Sequence, residues 1–183
     1  EKHSKPVHIG IVYIVAEETK ESFYSLVANI KKEMQKQKKD YIISLIPFYD
    51  DWHIDLNFYK LFAKDEENIE VLPYITDITE MIKIFLQQDF MVCARYHAIL
   101  LTLSLNIPCI GLYYDTHQHY FNKISYLLEQ FQYCLDDCIP MSRIKKMENS
   151  IFDKVICVKD KKVTQRLLDE TREILDDLFA RYL

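Results

Sequence analysis

The sequence contains very little glycine. Gly10 and Gly111 are the only two glycines among its 183 residues, so the GxGxxG fingerprint of dinucleotide-binding folds and the glycine-rich loop of P-loop enzymes are both absent. Any phosphate that the chain binds must therefore be held by side chains and by the amino terminus of a helix.

Long apolar runs are also missing. No run approaches the roughly 20 residues that a membrane-spanning helix needs, and the opening residues are polar, unlike those of a signal peptide. We therefore expect a cytoplasmic domain without a transmembrane segment, and we leave open a peripheral position at the inner face of the membrane.

There is no excess of positive charge. The formal net charge is −5 and the pI is about 5.7, and the basic residues are interspersed with acidic ones. This distribution argues against nucleic acid as a partner. With 49% hydrophobic residues, the chain is long enough for one domain with a single core. Because it begins with Glu1 rather than Met, we expect a piece of a longer protein, although a trimmed full-length protein would begin in the same way.

The cysteines give little sign of a metal site. Their number is odd, and three of them lie in apolar, strand-like stretches, which is typical of buried free thiols in a reducing compartment. Cys134 and Cys138 have no matching second pair, so a zinc site is not favoured. The five cysteines are Cys93, Cys109, Cys134, Cys138 and Cys157.

Apolar strand-like runs alternate with helical repeats at short, regular intervals. The first run is continuous and rich in β-branched residues, which is typical of a strand covered on both faces. Helical spacing of apolar residues follows each run. This order predicts an α/β fold with a doubly wound, mainly parallel, Rossmann-like sheet flanked by helices. The predicted strands are 7–15, 41–47, 69–72, 90–94 and 109–114.

The last third of the chain is less regular. The pattern dissolves over residues 133–149, and residues 151–158 suggest a sixth short strand. A long amphipathic helix is predicted over residues 160–183, because apolar residues from Val163 to Tyr182 trace one face.

In open α/β sheets, ligands bind at the carboxyl ends of the strands. That rule selects the polar residues that follow the predicted strands one, two, four and five. They are Glu17 and Glu18; Asp50, Asp51, Trp52 and His53; Arg95, Tyr96 and His97; and Asp115, Thr116, His117 and His119.

The Arg95-Tyr96-His97 segment is the most informative of these. A guanidinium and an imidazole stand where a buried strand meets the amino terminus of a helix, and both groups favour an anion. His97 can also accept or donate a proton near neutral pH. The alternative interpretation is structural: Arg95 pairs with an acidic neighbour and His97 caps the helix.

Two other groups have structural alternatives. His117 and His119 could form a metal pair, but no third ligand is evident, and an exposed loop is the favoured interpretation. Residues 50–53 combine carboxylates with an aromatic ring, as sugar-binding clefts do, but a helix N-cap beside a partly buried Trp52 has the same appearance.

The wider pattern around Arg95 resembles the core of the polysaccharide pyruvyl transferase family. The pattern is an apolar strand, Arg-x-His-Ala, an apolar helix, a turn of a small residue and Pro, and a strand that ends near Tyr. It lies in residues 90–100 and 106–115 of this chain. The order of elements also agrees over most of the chain.

The resemblance implies a fold and a reaction. Members of the family consist of two Rossmann-like halves that face a cleft, as in GT-B glycosyltransferases, and this motif lies in the carboxy-terminal half. They transfer pyruvate from phosphoenolpyruvate to sugar hydroxyls of a polysaccharide or of its lipid-linked precursor. The chain would then be a donor-binding half that lacks its amino-terminal partner domain. No metal and no cofactor besides the donor substrate would be needed.

The resemblance also implies roles for individual residues. Arg95 and the Tyr96 backbone would hold the anionic groups of the donor, and His97 would transfer a proton or contact the phosphate. Tyr114, Asp115 and His117, at the end of the fifth strand, are further candidates for substrate binding.

This sequence departs from the family pattern at two places. Many members carry a basic residue after strand one, where this chain has Glu17 and Glu18, and many carry a Lys after the fifth strand, where the nearest comparable residue is His117. Two alternatives therefore stay open: a GT-B domain that binds a nucleotide-sugar, and a catalytically silent Rossmann-like module. An isolated half would also be inactive without its partner domain.

Overall fold

The computed structural model describes residues 5–48, 52–116, 118–147 and 150–156. Within these residues the chain forms a six-stranded sheet of order β3-β2-β1-β4-β5-β6, and every pair of neighbouring strands is parallel. The strands are β1 (Val7–Val12), β2 (Tyr41–Leu45), β3 (Ile69–Val71), β4 (Phe90–Cys93), β5 (Cys109–Tyr113) and β6 (Ile139–Pro140).

Helices connect the strands and cover both faces of the sheet. They are α1 (Lys20–Lys36), α2 (Trp52–Ala63), α3 (Ile78–Leu86), α4 (Tyr96–Ser104) and α5 (Gln118–Gln130). Short 3₁₀ helices add Glu17–Thr19, Leu135–Asp137, Met141–Lys146 and Ile151–Lys154. No helix in this described part of the chain has the length and apolar character needed to cross a bilayer.

The core has two parts, one on each face of the sheet. On one face, β1 and β2 pack against α1 and α2 through residues such as Ile9, Leu26 and Tyr59. On the other face, β4 and β5 pack against α3, α4 and α5 through residues such as Ile99 and Leu128. The continuous apolar strands are thus explained by burial on both sides. The predicted doubly wound, Rossmann-like fold is confirmed.

Local sequence signals also explain where the helices begin. Asp77 caps α3, since its carboxylate accepts a hydrogen bond of 2.9 Å from the Glu80 backbone N–H. Thr19 lies at the start of α1, but its hydroxyl donates instead to the Ile14 carbonyl at 2.7 Å and ties the helix to the end of β1.

The sixth strand is not where the sequence placed it. Residues Ile151–Lys154 form a 3₁₀ helix that Ser150 caps, and Ile156 makes an isolated antiparallel bridge with Cys109. The actual sixth strand is Ile139–Pro140, paired in parallel with β5. The apolar residues after Ser150 suited a strand, but the Ser150 cap favours a helical turn. The helix predicted at 160–183 and Cys157 lie outside the described residues.

Candidate functional site

The centre of the sheet contains a topological switch point. Neighbouring strands β1 and β4 are the first strands of the two halves of the sheet, and the helices that follow them, α1 and α4, pack on opposite faces. The chain therefore diverges at the carboxyl ends of β1 and β4. In folds of this type, that divergence opens a crevice in which ligands bind.

Arg95 lies at this crevice. It follows β4 directly and occupies the N-cap position of α4 in extended conformation, with φ −107° and ψ 137°. Its Nε donates to the Tyr13 carbonyl at the end of β1, at 3.2 Å. Its Nη2 lies 2.9 Å and 3.2 Å from the two carboxylate oxygens of Asp55. The guanidinium thus spans from β4 over β1 to α2.

The ion pair is shielded from water. The Arg95 side chain is 13% exposed and the Asp55 side chain 2%. Burial raises the pKa of Asp55, while the Arg95 charge and hydrogen bonds from the Phe48 and Val15 backbone oppose that rise. The structural alternative for Arg95, an acidic neighbour, is therefore realised. The Arg95 side chain nevertheless keeps 13% of its surface exposed.

Asp55 was not among the site residues predicted from the sequence. It lies two residues beyond the polar group 50–53, inside α2, and its role depends on Arg95, 40 positions away. One signal was available: Asp55 shares the inner face of α2 with Tyr59, which is fully buried, and Phe62. A carboxylate on an apolar helix face requires a partner.

His97 has different surroundings. Its side chain is exposed, and its ring meets the Tyr96 ring edge-on at a centroid distance of 5.1 Å. Partial removal from water lowers its pKa below the usual value of 6.5, and the positive charge of Lys123 in α5 lowers it further. Arg95 is anchored toward β1 and α2, whereas His97 is influenced by α5. Arg95 and His97 are only two positions apart at the start of α4, but they therefore have different neighbours.

The end of β5 contributes Tyr114 and Asp115. Tyr114 is 7% exposed, and its hydroxyl donates to the Glu18 carboxylate, which joins the end of β5 to the segment after β1. Burial and Glu18 raise the pKa of Tyr114. Asp115 accepts hydrogen bonds from the Ser142 backbone N–H, at 3.1 Å, and from the Ser142 hydroxyl. Glu18 is therefore part of the crevice rim, where a basic residue was expected from the family pattern.

Several predicted candidates cannot be placed. Asp50, Asp51 and His117 lie outside the described residues, as do the side chains of Trp52 and His119. The proposed metal pair of His117 and His119 therefore remains untested. Across the residues that are described, no three His, Cys, Asp or Glu side chains converge on a common metal position.

The fold and the crevice define a Rossmann-like domain of the class that binds ligands at the carboxyl ends of its parallel strands. A family model described as polysaccharide pyruvyl transferase matches residues 4–116, which is more than half of the chain and includes β1 through β5, Asp55 and Arg95. The chain belongs to the polysaccharide pyruvyl transferase family, a family of transferases. The predicted family resemblance is confirmed.

Solved structures show a related fold. A structure from Listeria monocytogenes described as a UDP-N-acetylglucosamine 2-epimerase matches with a TM-score of 0.51 and 11% identity, covering 94% of this chain and 46% of that chain. The present chain thus spans less than half the length of that protein, and the likeness concerns the fold alone. The C-terminal domain of a glycosyl transferase group 1 family protein from Francisella tularensis matches at a TM-score of 0.42 and 14% identity, over 96% of this chain and 78% of that one, a likeness too weak to add to the fold assignment. None of the curated proteins compared with this chain matches its sequence.

Proposed function

We propose that this chain forms the donor-binding part of a pyruvyl transferase, which moves pyruvate from phosphoenolpyruvate to a sugar hydroxyl of a cell-surface glycan or its lipid-linked precursor. One observation carries the proposal: Arg95, inside the part of the chain that matches the family, lies at the switch-point crevice with its guanidinium fixed by Asp55 and by the Tyr13 carbonyl. An acceptor site on an amino-terminal domain completes this proposed enzyme.

Arg95 suits the donor for physical reasons. Phosphoenolpyruvate carries a carboxylate and a phosphate, and a guanidinium binds either group through two parallel hydrogen bonds. The amino terminus of α4 directs backbone N–H groups at the same place, which adds about 0.3–1 kcal/mol for a bound anion. Asp55 offsets part of the Arg95 charge in this shielded site, so the proposed grip on the donor depends on hydrogen bonds from a positioned guanidinium as much as on net charge.

His97 suits proton transfer in this reaction. Its lowered pKa leaves the imidazole mainly neutral at pH 7, and the neutral ring is the form that accepts a proton. In the proposed role, it takes the proton from the attacking sugar hydroxyl. Tyr114 and Asp115 line the same rim, where their polar groups face a saccharide or the donor. His117 belongs to this proposed set through its position in the sequence.

The reaction itself requires charge stabilisation more than covalent catalysis. Protonation of the enol methylene carbon of the donor gives a cationic, oxocarbenium-like carbon. A sugar hydroxyl adds to that carbon and loses its proton, and the C–O bond to phosphate then breaks with its electron pair. A second hydroxyl of the same sugar closes the ketal and loses its own proton. Departing phosphate carries negative charge, which Arg95 stabilises.

Calorimetric titration of the full-length protein with phosphoenolpyruvate tests the proposal. We expect saturable binding in the native protein and binding weakened about 100-fold in Arg95→Lys, because an ammonium keeps the charge but lacks the planar fork. Arg143→Lys is the matched control, since Arg143 is an exposed arginine of the Met141–Lys146 helix. It should bind as the native protein does.

Other ligands define the contrary outcomes. Binding of a UDP-sugar in place of phosphoenolpyruvate would favour a nucleotide-sugar glycosyltransferase. Failure of the full-length protein to bind either donor, or to turn over phosphoenolpyruvate with any acceptor glycan, would favour a catalytically silent module. Thermal melting of each variant, run in parallel, separates lost binding from lost folding.

A further inference from the structure

We propose that Asp55 is a positioning residue for donor binding, which acts by fixing the plane of the Arg95 guanidinium in the crevice. This inference rests on the proposed function, because it assigns to Asp55 the orientation of the group that would grip the donor. Asp55 itself need not touch the donor.

The geometry of the contacts supports positioning. Nε and Nη2 form one edge of the planar guanidinium, and both are engaged: Nε by the Tyr13 carbonyl at 3.2 Å, and Nη2 by the Asp55 carboxylate at 2.9 Å. Two contacts along one edge fix both the direction and the tilt of a planar group. Either contact alone would leave the guanidinium free to rotate about it.

The supports of this contact are rigid. Tyr59 lies one helical turn after Asp55 in α2 and is fully buried. Its hydroxyl accepts a hydrogen bond of 3.2 Å from the Tyr13 backbone N–H. The backbone of Tyr13 is therefore held on one side by α2 and presents its carbonyl to Arg95 on the other. As a result, α2, the end of β1 and the guanidinium form one connected unit.

Stability alone does not explain a carboxylate at position 55. Its side chain is 2% exposed, and removing such a group from water is so unfavourable that apolar replacement of a buried ion pair is often neutral or stabilising.

A second ion pair provides a contrast. Lys31 and Glu66 are 24% and 36% exposed, and they lie near the other end of the sheet, since Glu66 precedes β3 and Lys31 is in the last turns of α1.

Donor kinetics of Asp55→Asn in the full-length protein test the inference, with Glu66→Gln as the matched control. Both substitutions replace a paired carboxylate by an amide of equal size. We expect the KM for phosphoenolpyruvate to rise about 100-fold in Asp55→Asn, because a small displacement of a binding group has an effect of that order. The KM for the acceptor should stay unchanged, and Glu66→Gln should leave both constants at their native values.

A second measurement is independent of the substrate. Hydrogen exchange of the Arg95 Nε–H, followed by NMR in the absence of ligand, should be slow in the native protein and at least tenfold faster in Asp55→Asn. If Asp55→Asn does not fold, Asp55→Glu takes its place: it keeps the charge but displaces the carboxylate by one methylene, and the same two changes are expected.

The two proposals fail in different ways. If the native protein does not bind phosphoenolpyruvate, the proposed function is overturned. The hydrogen-exchange rate of the Arg95 Nε–H then tests the positioning role by itself. Asp55→Asn with native donor KM and native Arg95 exchange overturns the positioning role and leaves the proposed function intact. A loss of acceptor affinity equal to the loss of donor affinity would show that Asp55 has only a general structural role.

Discussion

The centre and the edge of the sheet are held together by different means. At the centre, β1 and β4 pair over four residues from Ile9↔Phe90 to Val12↔Cys93, and both strands are buried on their two faces. At the edge, β5 and β6 pair over two residues, and the chain beyond β6 folds into 3₁₀ helices. Strands buried on both faces therefore determine the centre, whereas the edge combines a two-residue strand pairing with contacts of individual side chains.

Beside the buried Met141, Ile144 and Ile151, the edge has several polar, exposed contacts. Ser142 donates to Asp115, Lys145 pairs with Glu21 of α1, and Lys154 donates to the Asp136 carbonyl at 2.8 Å. A cavity of about 280 Å³ lies beside β6, with Arg143 among its lining residues. Because exposed contacts each contribute little, we expect substitutions at the edge to have smaller effects than those at the centre.

The two glycines provide the sharpest test of this difference. A Cβ at Gly10 would lie 2.3 Å from the Met91 sulfur and 3.0 Å from Gln88 Cγ, whereas a Cβ at Gly111 would approach only the Cys138 sulfur closely, at 2.4 Å. We expect Gly10→Ala to lower the free energy of unfolding by about 3 kcal/mol and Gly111→Ala by about 1 kcal/mol. Urea denaturation measures both. An equal or larger loss in Gly111→Ala would contradict the comparison.

Tyr59 tests the junction between α2 and the centre. In Tyr59→Phe, the buried Tyr13 N–H loses the hydroxyl that accepts its hydrogen bond, and an unsatisfied buried donor should lower the free energy of unfolding by about 2 kcal/mol. Tyr126→Phe is the control, since Tyr126 is 64% exposed and its loss of a hydroxyl should change stability by less than about 0.5 kcal/mol. If the two variants had equal unfolding curves, the hydrogen bond between Tyr59 and the Tyr13 N–H would contribute nothing to stability.

Ser142 tests the edge. Ser142→Ala removes the hydrogen bond from the Ser142 hydroxyl to Asp115 and keeps the one from the backbone N–H. Because this site is exposed, we expect the free energy of unfolding to fall by only about 0.5 kcal/mol. Amide hydrogen exchange should accelerate in the Met141–Lys146 helix and stay unchanged in β1 and β4. Ser25→Ala, at a half-buried position of α1 where the hydroxyl donates to the Glu21 carbonyl, serves as the control. Faster exchange in β4 would mean that edge and centre unfold as one unit.

His97 has the smallest expected effect, and Lys123 of α5 contributes to it through the pKa of the imidazole. We expect an NMR titration to give a His97 pKa below 6.5. In Lys123→Gln the pKa should rise only part of the way to 6.5, since removal from water, the larger cause, remains. Loss of the nearby positive charge favours the protonated ring, which gives the direction of this change. A native pKa at or above 6.5 would remove the basis for a proton-accepting role.

Sequence patterns were sufficient for most of the architecture. The five apolar runs became β1 to β5 because strands covered on both faces are mostly apolar. The edge was not predictable in the same way. Two residues, Ile139 and Pro140, are too few to show a period, and residues 151–154 took a helical form that their apolar character did not distinguish from a strand.

The candidate site was predictable only in part. The position of Arg95 followed from the rule that places ligands at strand ends, and the residue is at the predicted place. Its partner Asp55 was missed because a pairing over 40 positions depends on how α2 packs. Whether Arg95, Tyr96, His97, Tyr114, Asp115 and His117 bind substrate stays a prediction.

The hydrogen bond from the Arg95 Nε–H to the Tyr13 carbonyl joins residues that are 82 positions apart in the sequence. Such a long separation means that the crevice exists only once the chain from β1 to α4 is assembled, and partly folded forms lack it. Any compound that occupies the crevice consequently binds the native state alone and raises its melting temperature. At a free ligand concentration of 100 times Kd, the free energy of unfolding rises by about 2.7 kcal/mol. A thermal-shift screen of small anions can therefore detect crevice occupancy without an assay for turnover.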